Sequence, residues 1–159
     1  TPISDAWAEE AMRFIGLHLK NLDDTVSEAA REDLMYGSTL AGITIAQTGT
    51  TLVHSMGYEL TYYKGYSHGR ANGMLLPGYM KLLAHTVPDK VEKIWDILGL
   101  SGLSDFTALM KHLMGDTITL TEEEIKDYVK LVMPTGGKAS TPYDVTEDVV
   151  AQLYRELAE

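Results

Sequence analysis

The sequence predicts an all-α domain, because apolar residues recur at helical spacing and no segment shows the two-residue alternation of a convincing strand. Capping residues, glycines and prolines divide the apolar segments into seven or eight helices. With 159 residues, 45% of them hydrophobic, the chain is long enough to bury a substantial core. We therefore expect one helical domain over residues 1–159.

The first helix is predicted to start at Ser4, because serine is a good N-cap and Asp5 follows it in the first turn. It should run to about Lys20. Its core face is set by apolar residues at every fourth position, Trp7, Ala11, Ile15 and Leu19.

A second, longer helix is predicted over residues 27–48. Thr25 and Glu28 have the spacing of a capping box, and Gly49 is placed to end the helix. Small residues near Gly37 and Ala41 would let another backbone approach closely. These features predict a buried helix.

A short helix carrying His54 should follow, capped by Thr50 or Thr51. The helix after it contains Pro77, but apolar residues continue at helical spacing beyond this proline. Because a proline inside a helix can kink it without ending it, we expect a bend near Leu76.

Cap and stop residues define the remaining helices. Their predicted starts lie at or near Pro88, Ser104, Thr121 and Thr146. Their predicted ends lie at Gly99, at Gly115, before Pro134 and at Leu157. Residues 134–142, with two prolines and two glycines, are predicted to form a loop.

Composition excludes several function classes. The formal net charge of −10 argues against nucleic acid or an anionic membrane as a partner, since both require a basic surface. No apolar run approaches the roughly 18 to 20 residues of a membrane-spanning helix.

Because the chain has no cysteine, any metal must be held by nitrogen and oxygen ligands, which suits Fe²⁺ or Zn²⁺. A cytoplasmic location is the expectation.

Two histidines, His54 and His68, flank a tyrosine- and glycine-rich stretch. In one straight helix their fourteen-residue separation would place them about 21 Å apart, whereas metal–nitrogen bonds are only about 2.0 to 2.1 Å. Residues 57–67 can reverse the chain, since glycine permits positive φ and this aromatic cluster makes a poor continuous helix. His54 would then close one helix and His68 open the next. Spacing alone does not separate such a metal pair from two hydrogen-bonded core histidines.

The context of these histidines resembles a known family. From His68 the sequence reads His-Gly-Arg-Ala-Asn-Gly-Met-Leu-Leu-Pro, and this run, with His54 fourteen residues earlier, resembles the second signature of the iron-containing alcohol dehydrogenases. Residues 2–6, 29–49 and 141–148 also resemble the C-terminal half of that family.

The resemblance implies a fold and a chemistry. Family members have an N-terminal α/β domain that binds NAD(P) and a C-terminal helical domain that supplies the metal, with an alcohol or aldehyde between them. This chain resembles the second domain, a multi-helix bundle of the dehydroquinate synthase-like fold, without the nucleotide-binding domain. The family holds its Fe²⁺ or Zn²⁺ with one Asp and three His. Of these ligands, the resemblance transfers to His54 and His68.

Tyr58 departs from the family pattern, since many members carry another histidine four residues after the counterpart of His54. A tyrosine could donate a hydrogen bond at the catalytic site but is a poor proton carrier at neutral pH. It could equally serve only in packing.

With two of the four ligands and no phosphate-binding loop, the 159 residues alone are expected to show no turnover and to hold no cofactor tightly. A face around His54, Tyr58, Tyr62, Tyr63 and His68 should be exposed, which would favour homo-oligomers. The alternative to a dehydrogenase part is a helical binding module that kept the fold and lost catalysis.

Overall fold

The computed structural model describes residues 1–22, 25–115 and 118–158, and within these ranges it contains helices and no strand. The predicted all-α fold is therefore confirmed. The α-helices are α1 (Pro2–Leu19), α2 (Glu28–Thr48), α3 (Leu52–Lys64), α4 (His68–Leu83), α5 (Pro88–Leu98), α6 (Leu103–Met114), α7 (Glu122–Val132), α8 (Gly136–Ala139) and α9 (Glu147–Arg155), followed by a 3-10 turn, Glu156–Ala158. None of these described helices is long and apolar enough to cross a bilayer.

The chain divides into two compact units, of which the first comprises Thr1–Gly49 and Asp89–Asp105. In this unit α1 and α2 pack closely at Gly37, where an added Cβ would lie 2.9 Å from Ile15 Cγ1. Lys90 Nζ donates to an Asp5 carboxylate oxygen at 3.1 Å and so joins α5 to the start of α1.

The second unit comprises Thr50–Pro88 and Phe106–Glu159 and contains a large apolar core. Helices α3, α4, α7 and α9 supply most of this core. Its fully buried side chains include Leu52, Met56, Leu60, Val132, Val145, Val150 and Tyr154. Burial of apolar surface contributes about 25 cal/mol per Å² removed from water. It is the main free-energy contribution that stabilises α3, the helix that carries His54.

The start of α1 differs from the prediction. Thr1, not Ser4, is the N-cap: Ser4 N donates to Thr1 Oγ1 at 3.2 Å, and the Thr1 amino group donates to Ser4 Oγ at 2.8 Å. Ser4 is thus the N3 residue of a capping box, and Pro2 occupies the first turn, where its missing N–H costs nothing.

The predicted bounds of α2 are correct, but its predicted burial is wrong. Ser27 caps the helix by accepting from Ala30 N at 3.2 Å, and Thr25 lies outside it. Only Ala30 and Gly37 are buried. Small and apolar residues allow a helix to be buried, but they are buried only where another helix packs on them.

In the second half of the chain, Thr121 and Thr146 cap α7 and α9 as predicted. Ser104 lies inside α6, which begins one residue earlier at Leu103. The predicted loop at 134–142 contains the four-residue helix α8, whose last turn is closed by Ser140 N donating to Gly136 O at 3.3 Å. Pro77 lies within α4 without ending it, as expected.

Candidate metal centre

The turn between α3 and α4 determines how the two histidines meet. α3 runs on to Lys64, so the prediction that His54 closes a helix is wrong: His54 lies in the first turn of α3. The chain reverses at residues 65–67, where Gly65 adopts φ 73° and its N–H donates to Leu60 O. A left-handed C-cap of this kind strongly favours glycine. His68 opens α4, as predicted.

The reversal places the two imidazole rings side by side. His54 Nδ1 and His68 Nε2 lie 3.1 Å apart, and the ring centroids are separated by 5.0 Å. Both residues are half-buried. Burial lowers the pKa of His54, and the neighbouring His68 lowers it further by charge repulsion. His54 is therefore suited to the neutral state, in which a ring nitrogen can ligate a cation.

Tyr58 covers one face of His68. Their rings stack with centroids 5.1 Å apart and an interplanar angle of 16°. Tyr58 is nonetheless 56% exposed, so its other surface faces solvent. The stacking contact is consistent with a packing role for Tyr58. The exposed part of its side chain is accessible to a substrate, as a catalytic role would require.

Asn72, one turn after His68 on α4, was not predicted as a site residue. Its Nδ2 lies 3.1 Å from His68 Nε2. Its Oδ1 is buried and accepts no hydrogen bond from the described residues. Two sequence clues pointed to it: Asn72 belongs to the family-like run that begins at His68, and its spacing of four residues from His68 places both side chains on one helix face.

The start of α3 is fixed by residues near α8. Leu52 N donates to Thr141 Oγ1 at 3.0 Å, and this buried hydroxyl donates to Gly137 O at 2.9 Å. Gly137 packs so closely that an added Cβ would lie 2.3 Å from Ser55 Oγ. Thr141 therefore satisfies an N-terminal amide of the helix that carries His54, a role that sequence spacing did not reveal.

The start of α4 is fixed separately. Arg70 Nε donates to Met114 O at 2.6 Å, and the guanidinium lies 5.0 Å from the ring centroid of Tyr66. Gly73 lets α4 approach the same methionine, because a Cβ there would come within 2.3 Å of Met114 Sδ. Each histidine is thus held on a helix end that is anchored to other parts of the second unit.

The geometry of the pair fits two ligands of one ion. Two nitrogens bound at about 2.0 to 2.1 Å would lie about 2.8 to 3.4 Å apart for ligand angles between about 90° and 110°. The observed separation of 3.1 Å falls in this range. In the described part of the chain, no cluster of three or more His, Asp or Glu residues could hold a metal, so a metal centre here would need ligands besides His54 and His68.

Comparisons with known proteins identify the family of the chain. The model of the Fe-containing alcohol dehydrogenase family, C-terminal, matches residues 1–158. The chain is 26% identical to 1,3-propanediol dehydrogenase of Klebsiella pneumoniae, covering 98% of this chain and 44% of that protein. It is 32% identical to the NAD-dependent methanol dehydrogenase of Bacillus methanolicus over 72% of this chain and 31% of that protein.

A solved structure shows the same fold. The iron-containing alcohol dehydrogenase of Thermotoga maritima superposes with a TM-score of 0.87 and 35% sequence identity, covering 99% of this chain and 43% of that one. The chain therefore spans less than half the length of the relatives that it matches over nearly its whole extent.

Proposed function

Because the chain belongs to the Fe-containing alcohol dehydrogenase family, whose C-terminal region it matches over residues 1–158, we propose that it supplies two metal ligands to an NAD(P)-dependent alcohol dehydrogenase. The reaction would exchange hydride between an alcohol or aldehyde and a nicotinamide. Support comes from the names of relatives, which include alcohol dehydrogenases and one NAD-dependent methanol dehydrogenase. The observation that carries the proposal is the 3.1 Å approach of His54 Nδ1 to His68 Nε2.

In this proposal His54 and His68 hold the metal. A divalent ion, Fe²⁺ or Zn²⁺, supplies Lewis-acid chemistry toward the alcohol or aldehyde oxygen. The two imidazoles contribute neutral nitrogen ligands and leave other positions of the coordination shell for other groups. We assign those groups to the substrate and to a nucleotide-binding domain in the remainder of the parent protein, which the matched relatives are long enough to contain.

Tyr58 is the proposed catalytic candidate. Stacked on His68, it restricts rotation of that ring and shields one face from water. Its hydroxyl is a hydrogen-bond donor that a substrate oxygen near His68 could use. Because tyrosine carries protons poorly at neutral pH, the role we assign is orientation of substrate and ring, with proton transfer left to other groups.

The proposal is tested with a chimera that joins the N-terminal region of the Klebsiella pneumoniae relative to this chain. We expect bound divalent metal and NAD(P)-linked oxidation of small alcohols. His54→Gln and His68→Gln should each lose both properties, because each removes a nitrogen ligand. His85→Gln is the matched control, since His85 is exposed and lies beyond the end of α4.

Retention of metal and activity by either ligand variant would contradict the assignment of that residue. For the isolated chain we expect weak binding of Co²⁺ that is lost on dialysis, because His54 and His68 alone supply only two protein ligands to the ion. A stoichiometric ion that resists dialysis and disappears in His54→Ala would contradict the need for further ligands. A chimera that folds but stays free of metal would instead favour a helical binding module.

A further inference from the structure

Three nitrogens converge at the centre of the site. His68 Nε2 lies 3.1 Å from His54 Nδ1 and also 3.1 Å from Asn72 Nδ2. A neutral imidazole has one protonated nitrogen and one nitrogen with a single lone pair. The amide Nδ2 of asparagine can only donate, so its contact with Nε2 is a hydrogen bond only when Nε2 carries the lone pair.

The orientation of the Asn72 amide follows from its surroundings. Oδ1 faces Gly57 on α3, and a Cβ added to Gly57 would lie only 1.9 Å from it. Rotating the amide by half a turn would place two N–H donors in this buried position, where Oδ1 now accepts no hydrogen bond from the described residues. Buried donors without partners are rarer in proteins than under-used carbonyl oxygens, so the observed orientation is favoured.

From these contacts we propose that Asn72 is a positioning residue, which donates a hydrogen bond to the Nε2 lone pair of His68 and so holds this ring in the Nδ1–H tautomer. The proposal rests on the proposed function for its purpose, because Nε2 is then the nitrogen prepared to ligate an ion. Binding would exchange one hydrogen bond at Nε2 for a metal bond without first removing a proton from that atom.

Gly57 makes this arrangement possible. It is the α3 residue against which the Asn72 side chain lies, and any side chain there would occupy the space of the amide oxygen. Gly57 and Asn72 thus form one packing unit, in which a missing Cβ on α3 admits the amide of α4. Neither residue would touch the ion in this scheme, and Asn72 would act through the ring of His68.

The tautomer can be measured directly in the 159-residue chain. We would label histidine rings with ¹⁵N and record long-range ¹H–¹⁵N spectra at mildly alkaline pH, where imidazole is neutral. His68→Gln identifies the His68 signals. We expect Nδ1 of His68 to carry the proton and Nε2 to show the downfield shift of an unprotonated nitrogen. Histidine in water favours the opposite tautomer, so this result would show an influence of the fold.

Two variants separate positioning from packing. Asn72→Asp keeps the shape but can only accept, so the proton should move to Nε2 and the tautomer should reverse. Asn72→Leu keeps a similar shape and removes the donor, so the Nδ1–H preference should be lost while the melting temperature changes little. A merely structural Asn72 would leave the tautomer of His68 unchanged in both variants.

Each outcome decides the inference. An Nε2–H tautomer of His68 in the unmodified chain would overturn the inference. Persistence of the Nδ1–H tautomer in Asn72→Leu would also overturn it, because His54 and not Asn72 would then determine the tautomer. Titration with Zn²⁺ tests the proposed function separately: zinc should perturb Nε2 of His68 and leave Nδ1–H in place. If the tautomers are as expected but zinc changes no signal of His54 or His68, the Asn72 hydrogen bond is supported and the proposed metal centre is contradicted.

Discussion

The hydroxyl of Tyr154 donates a hydrogen bond to the backbone carbonyl of Met56 at 3.0 Å and so ties α9 to the helix that carries His54. Tyr154 is only 1% exposed, and burial raises the pKa of its phenol, so the group remains a donor throughout the neutral range. Because Met56 is completely buried, water cannot replace this bond without entering the core.

Tyr154→Phe should therefore lower the free energy of unfolding by about 1 kcal/mol, the usual net value of a buried hydrogen bond. Urea denaturation measures the change. Tyr62→Phe is the matched control, because Tyr62 is 81% exposed and its hydroxyl should contribute little. Equal stability of Tyr154→Phe and the unmodified chain would show that the contact with Met56 contributes nothing.

Gly57→Ala should destabilise the chain by about 1 to 3 kcal/mol, because the new methyl group must displace the Asn72 amide. Gly42→Ala is the control: this glycine also lies inside a helix, and nothing lies within 4 Å of its added Cβ. Replacing a helical glycine by alanine in open space should stabilise by about 0.5 to 1 kcal/mol. Opposite signs in thermal or urea unfolding are the expected result, and equal effects would refute the close packing at Gly57.

Glu59 should give the stability of the chain a defined pH dependence. Burial raises the pKa of its carboxyl, so the folded state binds this proton more tightly than the unfolded state does. The resulting stabilisation is complete below the unfolded pKa and is lost as pH rises through the folded pKa. Glu59→Gln, which cannot ionise, should flatten this decline and be more stable than the unmodified chain at pH 7.

The measurement for Glu59 is the free energy of unfolding by urea at several pH values between about 4 and 8. Glu32→Gln serves as the control, since Glu32 is exposed on α2. If Glu59→Gln and Glu32→Gln gave parallel curves, burial of Glu59 would not contribute to the pH dependence.

The tyrosine face, formed by Tyr58, Tyr62 and Tyr63, should promote self-association. Their exposed fractions are 56%, 81% and 53%, as predicted for these three side chains, whereas His54 and His68, which the predicted face also included, are half-buried. Exposed aromatic rings retain apolar area that a second copy could cover. We expect the double variant Tyr62→Ser and Tyr63→Ser to reduce the apparent mass in light scattering.

The control for this face is Tyr36→Ser, because Tyr36 is 53% exposed but lies on α2. Tyr63 also stacks on Tyr128, so circular dichroism must show that the double variant remains folded. A strict monomer at all concentrations, unaffected by the substitutions, would contradict the prediction.

The sequence alone determined the helical class and most helix limits, because these depend on local chemistry. Thr121 and Glu124 form their capping box within one turn, and Gly49 ends α2 with a positive φ. The His54 and His68 pair was also found from sequence, but through a family resemblance rather than through physical derivation. Local rules failed at Ser4, because the better-placed Thr1 and Pro2 start the helix earlier.

Tertiary structure alone decided which groups surround the pair. The 3.1 Å separation of the ring nitrogens depends on where α3 and α4 pack, and no local preference encodes that distance. Thr141 satisfies Leu52 N from 89 residues away, and Gly57 matters because Asn72 lies against it. The exposure of α2 was missed for the same reason. A pattern of apolar residues shows that a helix face can be buried. Whether that face is covered depends on where the other helices pack.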